Sequence, residues 1–287
     1  MQYNPEFVFH RPILTTEEKI ELEALSKAYP LNSFLGDQRN FEEMTVDFVY
    51  TSAKIEGNTY DRLDTDNLLR MGITAGGKLY SDAVMLTNLR DGFQLVMNRQ
   101  DNTVLDLDYT SKLHSVLMNE LLEPSQVGTV RNTAVNIGAS SYKPLANPER
   151  LRTEAKAILS EANKYTDPFE KAIYLHCNLA YLQYFKDGNK RTARMMQTAS
   201  LVNDDKLPLF FNDTLIENYK RATIDYYEKG TYAPYVAFFK ENYHLNVSNF
   251  LGLENSQELK KSLMDKPIEA RPKATFSPAQ SQNQFKP

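Results

Sequence analysis

A stretch beginning at Leu182, LQYFKDGNKRTAR, sets an aspartate, a glycine, an asparagine and several bases directly after an apolar helical run. Asp187-Gly188 favours a turn, and Lys190, Arg191 and Arg194 bracket the start of a second helix carried by Met195, Met196, Ala199 and Val202. Backbone N–H groups at such a helix start, together with the positive end of its dipole, attract a phosphate, and the basic side chains add charge-assisted contacts. Gly188 lets the backbone approach closely. Asp187, an isolated carboxylate beside this cradle, suits Mg²⁺, which binds through one or two carboxylates plus substrate phosphates. A solvated basic turn is the plainer alternative.

The elements that position this stretch follow from spacing. Phe169, Ile173, His176, Ala180 and Gln183 recur at steps of four and three, so a single helix stripe carries them to the core and Gln183 closes it. His176 reads by itself as a packed, hydrogen-bonded core histidine and Cys177 as a small buried apolar residue. Farther upstream, Met44, Phe48, Ser52 and Ile55 share a face, and Gly57-Asn58 is a good helix stop. Glu56 therefore sits at a helix carboxy terminus, where its charge opposes the macrodipole by roughly 0.3–1 kcal/mol unless a cation or solvent compensates.

Most of the chain shows helical spacing, which predicts an all-α fold with helices over about 16–28, 40–56, 82–98, 108–121, 148–163, 168–184, 191–203, 214–229 and 232–242. The stretch GTVRNTAVNIGASSYKPLANP differs: Val135 to Ile137 and Tyr142, set among Gly128, Gly138, Pro144 and Pro148, suit a short hairpin. The Pro-, Gln- and Ser-rich end, from about 266, is expected to be disordered. A single cysteine and four scattered histidines argue against a disulfide framework or structural zinc. The formal charge of −4, mixed in sign along the chain, gives no general attraction to nucleic acid or membrane, and no run reaches a membrane span. A cytoplasmic location is expected.

Gln183, Phe185, Asp187, Gly188, Asn189, Arg191 and Arg194, with His176 upstream, resemble the Fic family signature HPFxDGNGRxxR. VNIGASSYKP resembles that family's flap hairpin, and TSAKIEGN its inhibitory motif, [ST]xxxE followed by Gly or Asn. The resemblance spans about residues 40 to 245 and implies a Fic-like helical domain with one short β-hairpin flap. It divides the chain into an amino-terminal helical extension (1–40), a Fic domain (41–245) that includes an inhibitory helix at about 41–57, and a carboxy-terminal tail (246–287).

Fic proteins mostly transfer AMP from ATP to a hydroxyl side chain of a target protein, with Mg²⁺ between the phosphates. The resemblance makes Asp187 the metal ligand and Gly188, Asn189, Lys190 and Arg191 the nucleotide-binding loop, with Arg194 orienting the γ-phosphate. It makes Asn136, Ile137, Gly138 and Ala139 the flap edge, which pairs with an extended segment of the target. Tyr219 is a candidate for the adenine pocket or a packing residue. Ser52 and Glu56 belong to the inhibitory motif, in which the glutamate pairs with Arg194 and takes the γ-phosphate's space. Fic proteins with an amino-terminal inhibitory helix often self-associate, which leaves a homo-oligomer open here.

Three positions depart from the signature: Gln183, Tyr184 where the family has proline, and Lys190. Gln183 stands where the family has its catalytic histidine, and a glutamine amide has no comparable basicity; loss of a general base typically costs about 10²–10⁴-fold in rate. Lys190 stands where most AMP-transferring members have glycine, as also happens in the Doc branch, which transfers phosphate. Transfer of AMP, transfer of another phosphate-containing group, and nucleotide binding without turnover all stay open.

Overall fold

Short polar side chains set the helix starts. Thr15, Asp37, Asp61, Asp106, Asn147 and Asp167 each accept a backbone N–H from the first turn of the helix that follows. In the computed structural model, which describes residues 1–98, 103–138 and 140–253, the helices are α1 (Thr16–Ala28), α2 (Leu31–Gly36), α3 (Gln38–Ile55), α4 (Arg62–Met71), α5 (Tyr80–Met97) and α6 (Leu107–Leu117). They continue with α7 (Pro148–Ala162), α8 (Pro168–Leu182), α9 (Asn189–Asn203), α10 (Ile216–Lys229) and α11 (Ala233–Phe250). The all-α expectation holds.

Almost every residue of α8 and α9 is buried, as expected of helices surrounded on all sides. The two pack on each other as the central pair; α7, α10 and α11 cover α8, α5 and α6 cover α9, and α3 and α4 lie on α5. One buried apolar cluster runs from Val8 to Val247. The chain ahead of α1 is tied to this pair: the Glu170 carboxylate accepts the N–H groups of Ile13 (2.9 Å) and Leu14 (3.0 Å) and pairs with Lys19 at 2.8 Å. The Tyr174 hydroxyl donates to the Val8 carbonyl at 2.6 Å.

The hairpin expected around Val135–Ile137 does not form a ladder among the described residues. Instead, the Arg131 guanidinium donates to the Thr133 and Leu145 carbonyls, so a side chain satisfies groups that a cross-strand partner would otherwise take. Ser140 and Ser141 hydrogen-bond to the Glu228 carboxylate, and Lys143 forms an isolated parallel bridge with Gln2. Two helices were not foreseen: α2 is only one and a half turns, and α4 buries few apolar residues. The last helix runs past 242 to Phe250, with Val247 buried. The disorder expected from about 266 lies outside the described residues.

Candidate functional site

The loop between α8 and α9 starts with an unusual backbone. Gln183 ends α8 in the left-handed region (φ 52°, ψ 54°), which a side chain with a Cβ seldom adopts. Its amide compensates locally, donating to the Ala180 carbonyl at 2.7 Å and accepting from Asn189 Nδ2 at 3.3 Å. Asn189 closes the loop, accepting the Phe185 N–H and donating to the Phe185 carbonyl, both at 2.8 Å.

Asp187 and Gly188 form the turn. Gly188 has φ 71°, and a Cβ there would meet Met118 Sδ at 2.4 Å, so both backbone and packing call for glycine. It caps α9 with no side-chain hydrogen bond, leaving the first N–H groups of a long helix without a side-chain acceptor. The Asp187 carboxylate accepts the Gly188 N–H at 2.6 Å, lies 3.2 Å from Arg191 Nη2, and is 65% exposed. A lone exposed carboxylate fits Mg²⁺ only if phosphate oxygens complete the shell, since no cluster of three carboxylate, histidine or thiol groups occurs among the described residues.

The two arginines face the same space from inside. Arg191 is buried, and its Nε and Nη1 have no hydrogen-bond partner among the described residues. Arg194, 3% exposed, donates to the Tyr219 hydroxyl (3.3 Å) and the Ser52 carbonyl (3.2 Å), pairs with Glu56 Oε1 at 2.9 Å, and keeps an unpartnered Nε. Such desolvated donors suit a multivalent anion.

Glu56 caps the end of α3 and is only 13% exposed. Burial alone would raise its pKa, but Arg194, with Lys190 and Arg191, outweighs burial and holds the carboxyl below its ordinary range. Asn58 and Thr59 fasten this helix end to α5: the Asn58 amide donates to the Asp82 carbonyl (2.9 Å) and the Thr59 hydroxyl to the Asp82 carboxylate (2.6 Å).

The remaining sequence candidates fall as follows. Tyr219 is buried against Phe211 and Phe238, with its hydroxyl on Arg194. His176 is a core residue, its ring parallel to Tyr235 (4.6 Å, 14°) and its pKa lowered by burial, packed as expected but with no hydrogen-bond partner for either ring nitrogen among the described residues. Cys177 is buried and its thiol pushed up by burial. Asn136 and Gly138 are exposed and Ile137 is half-buried; Ala139 lies outside the described residues. The segment carrying them is tied to the loop by Lys186 Nζ, which donates to Thr133 Oγ1 at 3.1 Å.

Sequence reasoning did not find His114 or Arg131. His114 is fully buried and flat against Phe185 (3.7 Å, 12°), with its ring bonded to Asp187 and Gly128. Burial drives its pKa down to about 4, against a smaller opposing effect from the Asp187 carbonyl. The available signal was a histidine on the stripe Thr110, Leu113, His114 and Leu117, all buried.

Residues 104–201 match the model of the Fic/DOC family. Protein adenylyltransferase fic-1 of Caenorhabditis elegans is 23% identical over 223 residues, 75% of this chain and 43% of that protein. Protein adenylyltransferase Fic of Nematostella vectensis is 28% identical over 171 residues, 58% of this chain and 39% of that protein. The chain thus spans less than half the length of these curated relatives. Among solved structures, fic-1 of C. elegans superposes with a TM-score of 0.68 at 19% identity, covering 82% of this chain and 72% of that one. A Fic family protein from Desulfovibrio desulfuricans gives 0.69 at 16% identity, covering 88% and 90%. The chain is Fic-like in its matched segment and in its fold. Among the described residues, no helix is long and apolar enough to cross a membrane.

Proposed function

We propose that this protein is a Fic-type protein adenylyltransferase, moving AMP from ATP to a hydroxyl side chain of a target protein, and that Glu56 holds it off in cis. The observation that carries this reading is the buried Glu56–Arg194 pair, set beside unpartnered Arg191 and Arg194 donors at the uncapped start of α9. Residues 41–245 are the unit responsible, with α3 as its inhibitory helix.

In this reading the first N–H groups of α9, at Asn189, Lys190 and Arg191, bind the phosphates, and Arg191 and Arg194 neutralise them from the buried side. Asp187 would hold Mg²⁺, which neutralises charge across the phosphates when bound. Arg194 cannot serve Glu56 and a terminal phosphate together, so the carboxylate excludes that phosphate. Tyr219 orients Arg194 through its hydroxyl. Asn136 to Ala139 receive the target segment, which brings its hydroxyl over Gln183.

Gln183 cannot take the hydroxyl's proton as a histidine would, and its amide is already engaged by Ala180 and Asn189. That observation favours a second reading: a nucleotide-binding regulator without turnover, or with transfer of another phosphate-containing group. Incubating Glu56→Gly protein with ATP labelled in its α-phosphate, Mg²⁺ and cell lysate separates the readings. A labelled protein band is expected from the transferase. No band from Glu56→Gly, with a band restored in Glu56→Gly/Gln183→His, assigns the regulator, and no band from either removes the transferase.

A further inference from the structure

The loop between α8 and α9 is held from behind by one short turn, Gly128–Arg131. Arg131 Nε donates to the Gln183 carbonyl at 2.6 Å, and the Arg131 N–H donates to the Tyr184 carbonyl at 3.1 Å. The Asp187 carbonyl is reached through His114, whose Nε2 lies 3.0 Å from it while Nδ1 accepts the Gly128 N–H at 2.8 Å. A backbone N–H can only donate, so Nδ1 is the bare nitrogen and Nε2 carries the proton toward Asp187. Carbonyls at both ends of the loop are therefore held by Arg131 and by His114, which accepts the Gly128 N–H.

In a trans peptide the C=O and the following N–H point in opposite directions. Drawing these carbonyls backward sends the Phe185 N–H to Asn189 Oδ1 and the Gly188 N–H to Asp187 Oδ1. The arrangement is specific at each contact. Gly128 has φ 68°, and a Cβ there would lie 2.3 Å from Ser115 Oγ. Arg131 is a buried cation whose partners are carbonyls of Gln183, Thr133 and Leu145, a costly way to fill space unless the donors are needed.

We propose that His114 and Arg131, joined through the turn Gly128–Arg131, are positioning residues that set the peptide-plane orientation of the anion loop and thereby aim Asp187, Gly188 and the start of α9 at the bound phosphates. The assignment rests on the nucleotide-site reading above. The competing account is packing alone, through the stack of His114 on Phe185.

The two accounts order a pair of substitutions oppositely. His114→Gln can keep both hydrogen bonds through its amide oxygen and nitrogen but loses the stack; His114→Phe keeps the stack and loses both bonds. The variants are made in Glu56→Gly protein and titrated calorimetrically with MgATP, and exchange of the Gly128 amide with deuterium is followed without nucleotide. Affinity within about 3-fold of the Glu56→Gly protein for Gln, at least about tenfold weaker binding for Phe, and Gly128 protection kept in Gln and lost in Phe are expected. Phe binding as well as the Glu56→Gly protein, or Gln weakened as much as Phe, would overturn the proposal. If Glu56→Gly itself binds no nucleotide, the nucleotide reading fails, and the Gly128 exchange pattern alone decides whether His114 orders the loop. Arg131→Lys is the second variant: an ammonium's three donors leave one atom and cannot reach carbonyls that Nε, Nη1 and Nη2 meet separately, so about tenfold weaker binding is expected, and unchanged affinity would overturn the role of Arg131.

Discussion

Glu56 Oε1 and Arg194 Nη2 lie 2.9 Å apart although the residues belong to different helices, the end of α3 and the interior of α9, and both are nearly closed to solvent. The carboxylate sits where its own helix dipole opposes it, so the arginine is what makes the position tolerable. A phosphate that recruits Arg194 must displace this partner.

Breaking the pair therefore destabilises the empty protein and sensitises it to ligand. Removing one partner of a buried ion pair costs about 3–5 kcal/mol, less about 0.3–1 kcal/mol recovered from the helix dipole. Glu56→Gly is expected to melt several degrees below the parent and to regain stability with MgATP, by about 2.7 kcal/mol at a hundredfold excess over Kd. Thermal melts with and without MgATP check this; a variant that melts like the parent and ignores nucleotide contradicts it.

The same pair sets a pH dependence. The Glu56 carboxyl is held below its ordinary value of 4.5 in the folded protein, burial being outweighed by Arg194, Lys190 and Arg191. A depressed carboxyl contributes stability that is fully present above its unfolded pKa and is lost as pH falls through the folded value. In urea unfolding, the gap between the parent and Glu56→Gln is expected to be constant near neutrality and to close as the solution is acidified below that range. A gap that persists unchanged into strong acid argues against the depressed carboxyl.

Gln183→His in the Glu56→Gly background is expected to raise labelling from α-labelled ATP by about 10²-fold or more, the usual worth of a general base. Folding should suffer by only about 1 kcal/mol, because the left-handed backbone is already in place and only the amide contacts to Ala180 and Asn189 are lost. The initial rate of labelling is the readout. A rate no higher than that of Glu56→Gly means the missing base is not what limits transfer.

Tyr219→Phe separates packing from ligand contact. The ring is enclosed by Phe211 and Phe238 and has the Arg194 guanidinium 5.8 Å from its centroid, a contact phenylalanine keeps, while the hydroxyl accepts from Arg194 at 3.3 Å. Loss of that acceptor is expected to cost about 1 kcal/mol of stability and to change nucleotide affinity by no more than about 3-fold. A much larger loss of MgATP binding in calorimetry would mean that the tyrosine hydroxyl acts on the nucleotide, directly or by holding Arg194 for it.

The loop residues are open to sequence reading because they are local: Asp187, Gly188, Asn189, Arg191 and Arg194 sit within one loop and the first two turns of α9. Glu56 was legible for a different reason, a charge left at an unfavourable helix end with Gly57 and Asn58 behind it. What escaped depends on distant backbone groups. His114 meets Gly128 and Asp187, and Arg131 meets Gln183, Thr133 and Leu145, contacts that no periodicity encodes. Where a hairpin was expected, no ladder forms among the described residues, and the Arg131 guanidinium takes the Thr133 and Leu145 carbonyls. Helix α4 was missed because only Thr65 and Leu68 of its residues are buried, too few to show a stripe.

Calorimetric titration of the parent and of Glu56→Gly with MgATP, side by side, tests most directly whether Glu56 governs a nucleotide site. Saturable binding to Glu56→Gly, at least about tenfold tighter than to the parent, is the expected result. Equal affinity in the two proteins, or no binding in either, would contradict it.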